Sequence, residues 1–488
     1  MNSGLVHQIL LQPADLLFFR DGRPMTAGLP GPGAAWPLPH VINAALHAAL
    51  PRGFGNQPAV GRSHPPVRRV DGKRVLDTDK KKRHFTDFWS VGPFPALVAD
   101  KKGRPLSPPH WLFPRPLDIQ EKGNVTVTSR PACLPRERDR DLNWPDFSSL
   151  PALLSYAVAN QRPPEKEAAA EPWISASAFE HYLGNGEVVS DSGHFCSHTD
   201  FCDAEPQIGI ALDSTAQTTA EHEFYSAHYL RLHDRARLGL LAGNSPAGGD
   251  ALVELFPSST PATILVGGQQ RLCHAERTDV TGHPLPLPRG LSGFAPDADG
   301  KCRVKWVLLT PALWPRIADE DAEGNRVFTK DGRPVILHPG GWLPNWIAAE
   351  ETNLKGETVP PGGVLLLDGP GKDKARRKRL TPGKRIAARL VAALVPKPVV
   401  VTGWALGDAS DDPDRPAGAK STHLAVSAGA VYYFETEGPR AAEDAKALAC
   451  ALNWHGDSDG TAIRNRRSTL CGEKGFGLGV CSEWTFHA

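Results

Sequence analysis

The order of apolar segments after residue 303 constrains the fold more than any other feature of this chain. RVKWVLLTP (303–311) has the largely apolar pattern of a buried strand. In PGKRIAARLVAAL, the residues Ile386, Leu390 and Leu394 recur at intervals of four, which predicts a helix. Strands are predicted in KPVVVTGWAL and GAVYYFET, a second helix in RAAEDAKALACAL, and a last strand in LGVCSEWTF. Strand, helix, strand, strand, helix, strand is the order of the split βαβ, or ferredoxin-like, unit.

The N-terminal half begins in the same way. Residues 5–12 predict a strand, HVINAALHAAL predicts a helix, and later strands are predicted in QIGIALD, in residues 223–243 and in ATILVGGQQRLCHAE. The sequence therefore predicts an α+β chain with two ferredoxin-like (RRM-like, βαββαβ) domains, at 1–302 and 303–488. Such a sheet has helices on one face, and RNA-recognition motifs bind single-stranded RNA on the other face.

Proline and glycine determine where irregular structure is expected. The 488 residues include 46 prolines and 47 glycines, and such a content predicts long irregular stretches. We expect insertions at about 52–150, with a short strand in NVTVTS, and at about 315–382. The formal charge of +1 excludes a uniformly basic protein, so a polyanion would have to bind a local patch.

The N-terminal segment and the cysteines indicate the expected cellular location of the protein. MNSGLVHQIL lacks the features of a signal peptide, and no apolar run is long enough to cross a bilayer, so we expect a cytoplasmic protein without a membrane partner. Eight cysteines without a CxxC pair favour reduced thiols. The segment HFCSHTDFC offers His194, Cys196, His198 and Cys202 to zinc, but its spacing matches no common zinc motif and also suits a strand or polar loop. No cofactor is predicted.

The segment CGEKGFGLGV places Gly475, Gly477 and Gly479 around Phe476 and Leu478. A Rossmann fingerprint needs a βαβ unit of roughly thirty residues, whereas the chain ends nine residues after the last of these glycines. A P-loop needs Lys-Ser/Thr after its glycines, and none follows. Two interpretations remain: a loop whose backbone amides approach a bound nucleic acid, or a glycine-rich hairpin or bulge. The neighbouring cations favour phosphate: Arg464, Arg466, Arg467 and Lys474.

The segment FFRDGRP crowds aromatic and charged side chains into one turn. Phe18 or Phe19 is suited to stack on a base, and Arg20 or Arg23 to bind phosphate. In the competing interpretation, one phenylalanine is a core anchor and Asp21 pairs with an arginine to fix the turn.

A second basic stretch covers residues 371–390, with nine lysines or arginines against one aspartate. It includes Lys384 and Arg385. Such density attracts phosphate, but a solvated charged loop is the ordinary alternative. Residues 79–84, DKKKRH, are a weaker case.

Catalytic motifs are not found. GxSxG is absent, and HEFYSAH has the wrong spacing for HExxH. His40 and His47 are the candidates for a metal-independent ribonuclease, but the favoured interpretation is that both are ordinary surface histidines.

Five separated blocks together resemble the third-subunit family of the type III-B CRISPR Cmr effector complex, in the repeat-associated mysterious protein (RAMP) superfamily. They are FFRDGRP, PQIGIALDSTAQTTAEHEFYSAHYLRL, LVGGQQR, GWAL with AVSAGAVYYFE, and EKGFGLG. The resemblance implies two ferredoxin-like domains and a non-catalytic scaffold that holds the 5′ repeat-derived tag of the CRISPR RNA. It also implies contact with the large polymerase/cyclase-like Cmr subunit and with adjacent backbone RAMP subunits, and only indirect contact with target RNA.

The resemblance also nominates residues by motif: the glycine loop, the FFRDGRP loop and, in the middle block, Tyr225 and Arg231. Relatives differ near Glu223, where they have Glu-Gly, and at Gln269, where they have Gly-Gly-Glu-Ser-Arg against GGQQR here. Two alternatives remain open, a RAMP endoribonuclease that processes precursor CRISPR RNA and a bridge that contacts protein only. The full predicted RNA-binding set is Phe18, Phe19, Arg20, Arg23, Tyr225, Arg231, Lys384, Arg385, Arg464, Arg466, Arg467, Lys474, Gly475, Phe476, Gly477 and Gly479.

Overall fold

The computed structural model describes most of the chain. The described residues are 5–20, 36–53, 67–70, 73–76, 88–122, 125–128, 130–131, 153–159, 171–185, 194–212, 219–243, 251–257, 262–321, 325–354, 356–368, 384–405 and 418–486. No helix within these ranges has the length and apolar character needed to cross a bilayer.

Helices are few and strands are many among these residues. The helices are α1 (Pro39–Gly53), α2 (Ala176–Asn185), α3 (Ala251–Leu255) and α4 (Ala441–Leu452). The strands of the first half are β1 (Val6–Pro13), β2 (Val67–Val70), β3 (Lys73–Leu76), β4 (Trp89–Ala99), β5 (Pro105–Pro114), β6 (Ile119–Lys122), β7 (Val125–Thr128), β8 (Arg130–Pro131), β9 (Val158–Ala159), β10 (Trp173–Ser175), β11 (Phe195–Cys196), β12 (Cys202–Leu212), β13 (Thr219–Leu232), β14 (Ala236–Gly243), β15 (Ala262–Val266) and β16 (Arg271–Asp279). The strands of the second half are β17 (Cys302–Leu308), β18 (Ile317–Ala318), β19 (Ile336–His338), β20 (Thr352–Leu354), β21 (Glu357–Val359), β22 (Ala388–Leu394), β23 (Val399–Val401), β24 (Trp404–Ala405), β25 (Gly418–Ala419), β26 (His423–Ala425), β27 (Val431–Thr436) and β28 (Gly479–Glu483).

Two antiparallel sheets organise the described chain. The larger has eight strands in the order β11-β10-β5-β4-β14-β1-β16-β15, and the smaller has four in the order β22-β27-β17-β28. The remaining strands form two-stranded ladders, including the long β12–β13 hairpin. The predicted α+β class is confirmed at this level.

Each sheet buries one face against a helix. In the eight-stranded sheet, Ile9 and Leu240 pack in one core with Leu46 of the predicted and observed helix α1. In the four-stranded sheet, Trp306 and Leu308 pack in another core with Leu448 of α4. Both arrangements follow from period-two strands placed under a helix with apolar residues three and four apart.

The opposite faces of the two sheets are also buried. Leu10 and Phe113 of the larger sheet share a single core with Val307 and Tyr433 of the smaller one. The side chains of Val307 and Tyr433 are 0% and 1% exposed. The prediction that one sheet face remains free for RNA is therefore wrong for both sheets, because the two halves use these faces to pack together.

A buried polar group lies in this shared core. The hydroxyl of Tyr182, in α2, donates to both carboxylate oxygens of Asp118 at 2.7 and 2.8 Å. The ammonium group of Lys305, in β17, lies 3.1 Å from the same carboxylate and 3.9 Å from the centre of the Tyr182 ring. Asp118 and Lys305 are 1% and 2% exposed, so the pair joins the two halves without access to water.

One predicted helix is a strand. Residues 388–394 form β22 at the edge of the four-stranded sheet. Ile386, Ala388 and Leu390 are buried, whereas Ala387 and Arg389 between them are exposed. An interval of four residues is also two periods of a strand, so the spacing that suggested a helix fits the alternation of a strand equally well.

The expected insertion at 52–150 is also partly wrong. Residues 89–114, inside that stretch, supply β4 and β5, and β4 lies in the middle of the eight-stranded sheet. NVTVTS contains β7, as predicted. In the second stretch, 315–382, the described residues form short two-stranded ladders.

Candidate nucleic-acid interface

Side chains from the first three motif blocks meet in a group that we call the tyrosine cluster, made of Phe18, Tyr229, Gln269 and Arg271. The Phe18 and Tyr229 ring centres are 5.1 Å apart. The Arg271 guanidinium lies 5.1 Å from the centre of the Tyr229 ring. The Tyr229 hydroxyl and Arg271 both donate to the side-chain oxygen of Gln269, at 3.0 and 2.8 Å. A cation, two rings and an amide are thus held in one place.

The two glycines before Gln269 allow this close approach. The amide of Gly268 donates to the carbonyl of Phe18 at 2.8 Å. A Cβ at Gly267 would lie 2.6 Å from that same carbonyl oxygen, so a larger residue does not fit. Gln269 itself has φ 57°, a left-handed conformation that costs of order 1–3 kcal/mol outside glycine and is commonest at functional sites.

The FFRDGRP segment points its aromatic rings inward and its first arginine outward. Phe18 and Phe19 are 6% and 3% exposed, so in this conformation both are core anchors and neither ring is open to a base. Arg20 is exposed. Asp21 and Arg23 lie outside the described residues.

The middle block forms the β12–β13 hairpin. Tyr225 and Glu223 lie in β13, but the structure does not describe their side chains. Arg231, near the end of β13, is about half exposed and contacts Glu205 at 2.8 Å and Asp15 at 3.2 Å. These two acids hold the guanidinium beside the start of the FFRDGRP segment.

Residues of the last two motif blocks meet in a second group, the glycine-loop cluster. Phe476 is fully buried against Leu313, Val401 and Ala425, with Leu38 and Cys471 packed at its edge. Val401 precedes GWAL and Ala425 begins AVSAG. In this conformation the Phe476 ring is not open to a base.

The glycines of this loop are packed closely, and the backbone amides of the loop donate hydrogen bonds within the protein. A Cβ at Gly477 would lie 2.1 Å from the backbone nitrogen of Ser468, and one at Gly479 would lie 2.3 Å from the indole nitrogen of Trp306. These glycines are therefore needed for packing, as the hairpin or bulge interpretation requires, and RNA contact would fall to nearby side chains. Lys474 and Phe476 donate to the carbonyl of Cys471 (3.0 and 3.3 Å), Gly475 to Gly472 (3.1 Å), Gly477 to Pro311 (2.8 Å) and Leu478 to the Thr310 hydroxyl (2.9 Å).

The three arginines before the loop are half-buried. The Nε of Arg467 donates to the carbonyl of Ala451 at 2.6 Å. The Arg466 guanidinium lies 4.8 Å from the Trp89 ring centre, and burial lowers its pKa to about 10. The side chain of Arg464 lies beside Gly456, where an added Cβ would come 2.9 Å from the Arg464 Cβ. Some of the hydrogen-bond donors that were predicted to bind phosphate are therefore used for contacts within the protein.

The basic stretch 371–390 is described only from Lys384 onward. Lys384 is exposed. Arg385 forms an ion pair with Glu357 and donates to the carbonyl of Val364 at 3.3 Å. Residues 371–383 and 79–84 lie outside the described residues.

The candidate ribonuclease histidines have other contacts. The His40 Nε2 lies 3.1 Å from the Thr402 carbonyl. Burial, together with the charges of Lys474 and Lys420, lowers the pKa of His40 to about 4, so the ring is neutral at physiological pH. The His47 ring packs edge-on against Phe88 at 4.7 Å.

The zinc candidates do not form a metal site in the described part of the chain. His194 contacts the Ser175 hydroxyl at 3.1 Å, and His198 accepts from the Trp173 indole at 3.4 Å. Burial raises the pKa of Cys196 to about 11 and that of Cys202 to about 12, which disfavours the thiolates that zinc needs. Within the described ranges, no three metal-ligating side chains come together.

Comparison with known proteins identifies the family. The family model for "CRISPR-associated protein (Cas_Cmr3)" matches residues 9–484. One chain of the Type III-B Cmr-beta complex bound to cognate target RNA is 13% identical, with 87% of this chain and 86% of that chain covered and a TM-score of 0.36. A chain of the same complex with target RNA and AMPPnP is 12% identical, covers 68% and 84%, and has a TM-score of 0.29. No curated protein shows significant sequence similarity to this chain. Because the family model spans nearly all of the sequence, the predicted resemblance is confirmed, and the chain belongs to the CRISPR-associated protein family Cas_Cmr3.

Proposed function

We propose that this protein is a non-catalytic, RNA-binding scaffold subunit of a type III-B CRISPR Cmr effector. It holds the 5′ repeat-derived tag of the CRISPR RNA and docks the large polymerase/cyclase-like subunit. Adjacent backbone RAMP subunits contact it elsewhere, and target RNA is reached only indirectly. Membership of the Cas_Cmr3 family supports this assignment.

The observation that carries the proposal is the convergence of five distant motif blocks in two clusters. Arg20 emerges beside the tyrosine cluster, and His40 begins α1 beside the glycine-loop cluster. In the sequence, most of FFRDGRP lies in the short interval between these two residues, which favours a ligand that extends from one cluster to the other, such as a short RNA end.

Strand order supports two ferredoxin-like units, at 1–302 and 303–488. In the first unit, β1, α1, β4, β14, α3 and β16 follow the βαββαβ order, and their strands lie as β4-β14-β1-β16. In the second unit, β17, β22, β27, α4 and β28 lie as β22-β27-β17-β28. Both sheets thus have the spatial order second, third, first, fourth. In the second unit, residues 309–387 lie between the first and second strands of the sheet, and the described part of this stretch contains no α-helix.

The buried sheet faces leave the RNA to loops and sheet edges. Among the described cations of the predicted set, Arg20, Arg231 and Lys384 are exposed, and the others are half-buried: Arg385, Arg464, Arg466, Arg467 and Lys474. Contacts of this kind bind phosphate without reading bases and weaken as salt rises.

A charge-reversal experiment tests the proposal. The variant Arg20→Glu/Arg23→Glu is compared with Arg326→Glu/Arg333→Glu, which also reverses two charges, on exposed residues that belong to neither cluster. We expect the first variant to bind fluorescent 5′-tag RNA roughly tenfold more weakly at low salt, with the control unchanged. Equal affinity of wild type and both variants removes this loop from the site, and failure of the assembled wild-type complex to protect the tag refutes the scaffold role.

The endoribonuclease alternative has its own test. Purified protein is incubated with repeat RNA in EDTA, and the products are resolved on a gel. We expect no specific cleavage, because the neutral His40 ring already contacts the Thr402 carbonyl. Specific cleavage that His40→Ala abolishes would establish the enzyme instead.

A further inference from the structure

Three segments from both halves of the chain meet beside the glycine loop. His40 at the start of α1 contacts the Thr402 carbonyl at 3.1 Å. The backbone amide of Lys420 donates to Gly403 at 2.8 Å, which brings that lysine next to Thr402. The turn that carries Lys474 packs on the helix start, since a Cβ at Gly475 would lie 3.5 Å from the Cβ of Pro39. The junction is therefore built by tertiary structure and not by one flexible loop.

The junction has an excess of positive charge. Lys420 is exposed and Lys474 is half-exposed, and neither ammonium group forms an ion pair with a residue in the described ranges. Both lysines act electrostatically on His40 and on the Cys471 thiol. Glu473, in the same turn, acts electrostatically on the Cys471 thiol and on the half-buried Arg466. Among the described residues that these electrostatic interactions connect, one carboxylate is set against two lysines and an arginine.

We infer that this junction is a phosphate-binding site, with the ammonium groups of Lys420 and Lys474 as its ligands and the His40 ring as the titratable group behind them. The inference rests on the proposed function in one respect: the phosphate is taken to belong to an RNA backbone. A bound phosphate neutralises the two lysines, which makes protonation of His40 easier. Binding of the anion is therefore linked to uptake of a proton by this histidine.

The site would add a contact from Lys420, a residue outside every motif block. Lys420 comes from the second half of the chain and His40 from the first. A phosphate here bridges the two halves at the start of α1. The site therefore extends the RNA path from the tyrosine cluster to the glycine-loop cluster.

The first arm of the test uses inorganic phosphate and the full chain. The His40 titration is followed by NMR of protein labelled at histidine Cε1, with and without phosphate. We expect phosphate to raise the pKa of His40 by about one unit. The variant Lys420→Gln/Lys474→Gln should abolish the response, Lys420→Arg/Lys474→Arg should retain it, and Lys446→Gln on the exposed face of α4 should leave it unchanged. A response that persists in the glutamine variant refutes the site.

The second arm uses 5′-tag RNA and the same variants. Loss of two lysines from a phosphate contact should weaken binding roughly tenfold and reduce the slope of log affinity against log salt by about 0.7 to 1.4. If wild type binds the tag and the glutamine variant binds it equally well, the site is refuted while the proposed function stands. If wild type does not bind the tag, the proposed function fails, and the phosphate arm still decides whether the anion site exists. A phosphate response without an RNA effect refutes the assignment of the phosphate to RNA.

Discussion

Removing one partner of the buried Asp118–Lys305 pair should loosen the junction between the two sheets. The substitution Lys305→Met retains the aliphatic stem in a position that is 2% exposed. It leaves the Asp118 carboxylate in the core without the ammonium group, while the Tyr182 hydroxyl still donates to it. An unpaired buried charge is costly because the core supplies no water to replace the lost ammonium group.

The magnitude follows from that geometry. Breaking a buried pair on one side costs about 3–5 kcal/mol, whereas replacing both charges together is often close to neutral. Lys305→Met should therefore lower the free energy of unfolding by about 3–5 kcal/mol. The double variant Asp118→Asn/Lys305→Met should recover most of this loss, because the asparagine carbonyl can still accept from Tyr182.

The assay is equilibrium unfolding in urea, followed by tryptophan fluorescence. Trp454 and Trp484 lie in the core that the two sheets share, so their emission reports on this junction. Lys446→Met on exposed α4 is the matched control, and it should change stability by no more than about 0.5 kcal/mol. A loss below about 1 kcal/mol in Lys305→Met, or a double variant as unstable as the sum of the two single variants, would refute the reasoning.

Two further predictions concern backbone conformation and pH. Gly477→Ala should lower the urea midpoint much more than Gly438→Ala. Both glycines have positive φ, 78° and 84°, but of the two only Gly477 lacks room for a Cβ, which would lie 2.1 Å from the backbone nitrogen of Ser468. Equal losses in the two variants would contradict this reasoning. The pKa of His40, lowered by burial from its ordinary 6.5 to about 4, favours the neutral ring in the folded state. The contribution of this pKa shift to the free energy of unfolding, at most about 3 kcal/mol, should be complete above pH 6.5 and be lost as pH falls toward 4. His40→Gln should therefore flatten that part of the profile of stability against pH, measured by thermal unfolding. An unchanged profile would contradict the assignment.

The elements that sequence patterns predicted well are those with one unambiguous period. Helices α1 and α4 have apolar residues three and four apart, and β17 and β27 are short segments rich in apolar and aromatic residues. The prediction of a helix in place of β22 was wrong because the spacing of Ile386, Leu390 and Leu394 fits a strand as well as a helix. Only the alternating burial around Arg389 separates the two, and burial is not visible in one sequence.

Strand β4 was missed for a different reason. WSVGPFPALVA contains two prolines, and proline is normally confined to edge strands or bulges. Yet β4 lies between β5 and β14, and its pairing with both neighbours is irregular, between Gly239 and Leu241 on one side and between Leu97 and Ala99 on the other. The register shifts accommodate residues that cannot donate to a regular ladder.

The candidate site shows the same limit. Sequence spacing left open whether the terminal glycines serve RNA or packing, because the group that requires Gly479 is Trp306, far away in the chain. The tyrosine cluster was not predicted, since its members come from three distant segments. Its one local signal in the sequence is the pair Gly267-Gly268 before a polar residue. Such a pair indicates that another group approaches the backbone closely, but it does not identify that group.

The crowding of FFRDGRP has a physical explanation in this fold. Because each sheet buries one face against a helix and the other face against the second sheet, we expect a ligand to be held by loops, and a loop is a poor site unless its position is fixed. Phe18 and Phe19 provide that fixation: both rings are buried, and the Phe18 carbonyl accepts from Gly268 at 2.8 Å. The next residue, Arg20, is exposed at the surface. The aromatic residues therefore determine where the arginine stands, which makes packing and the proposed RNA contact two consequences of one short segment.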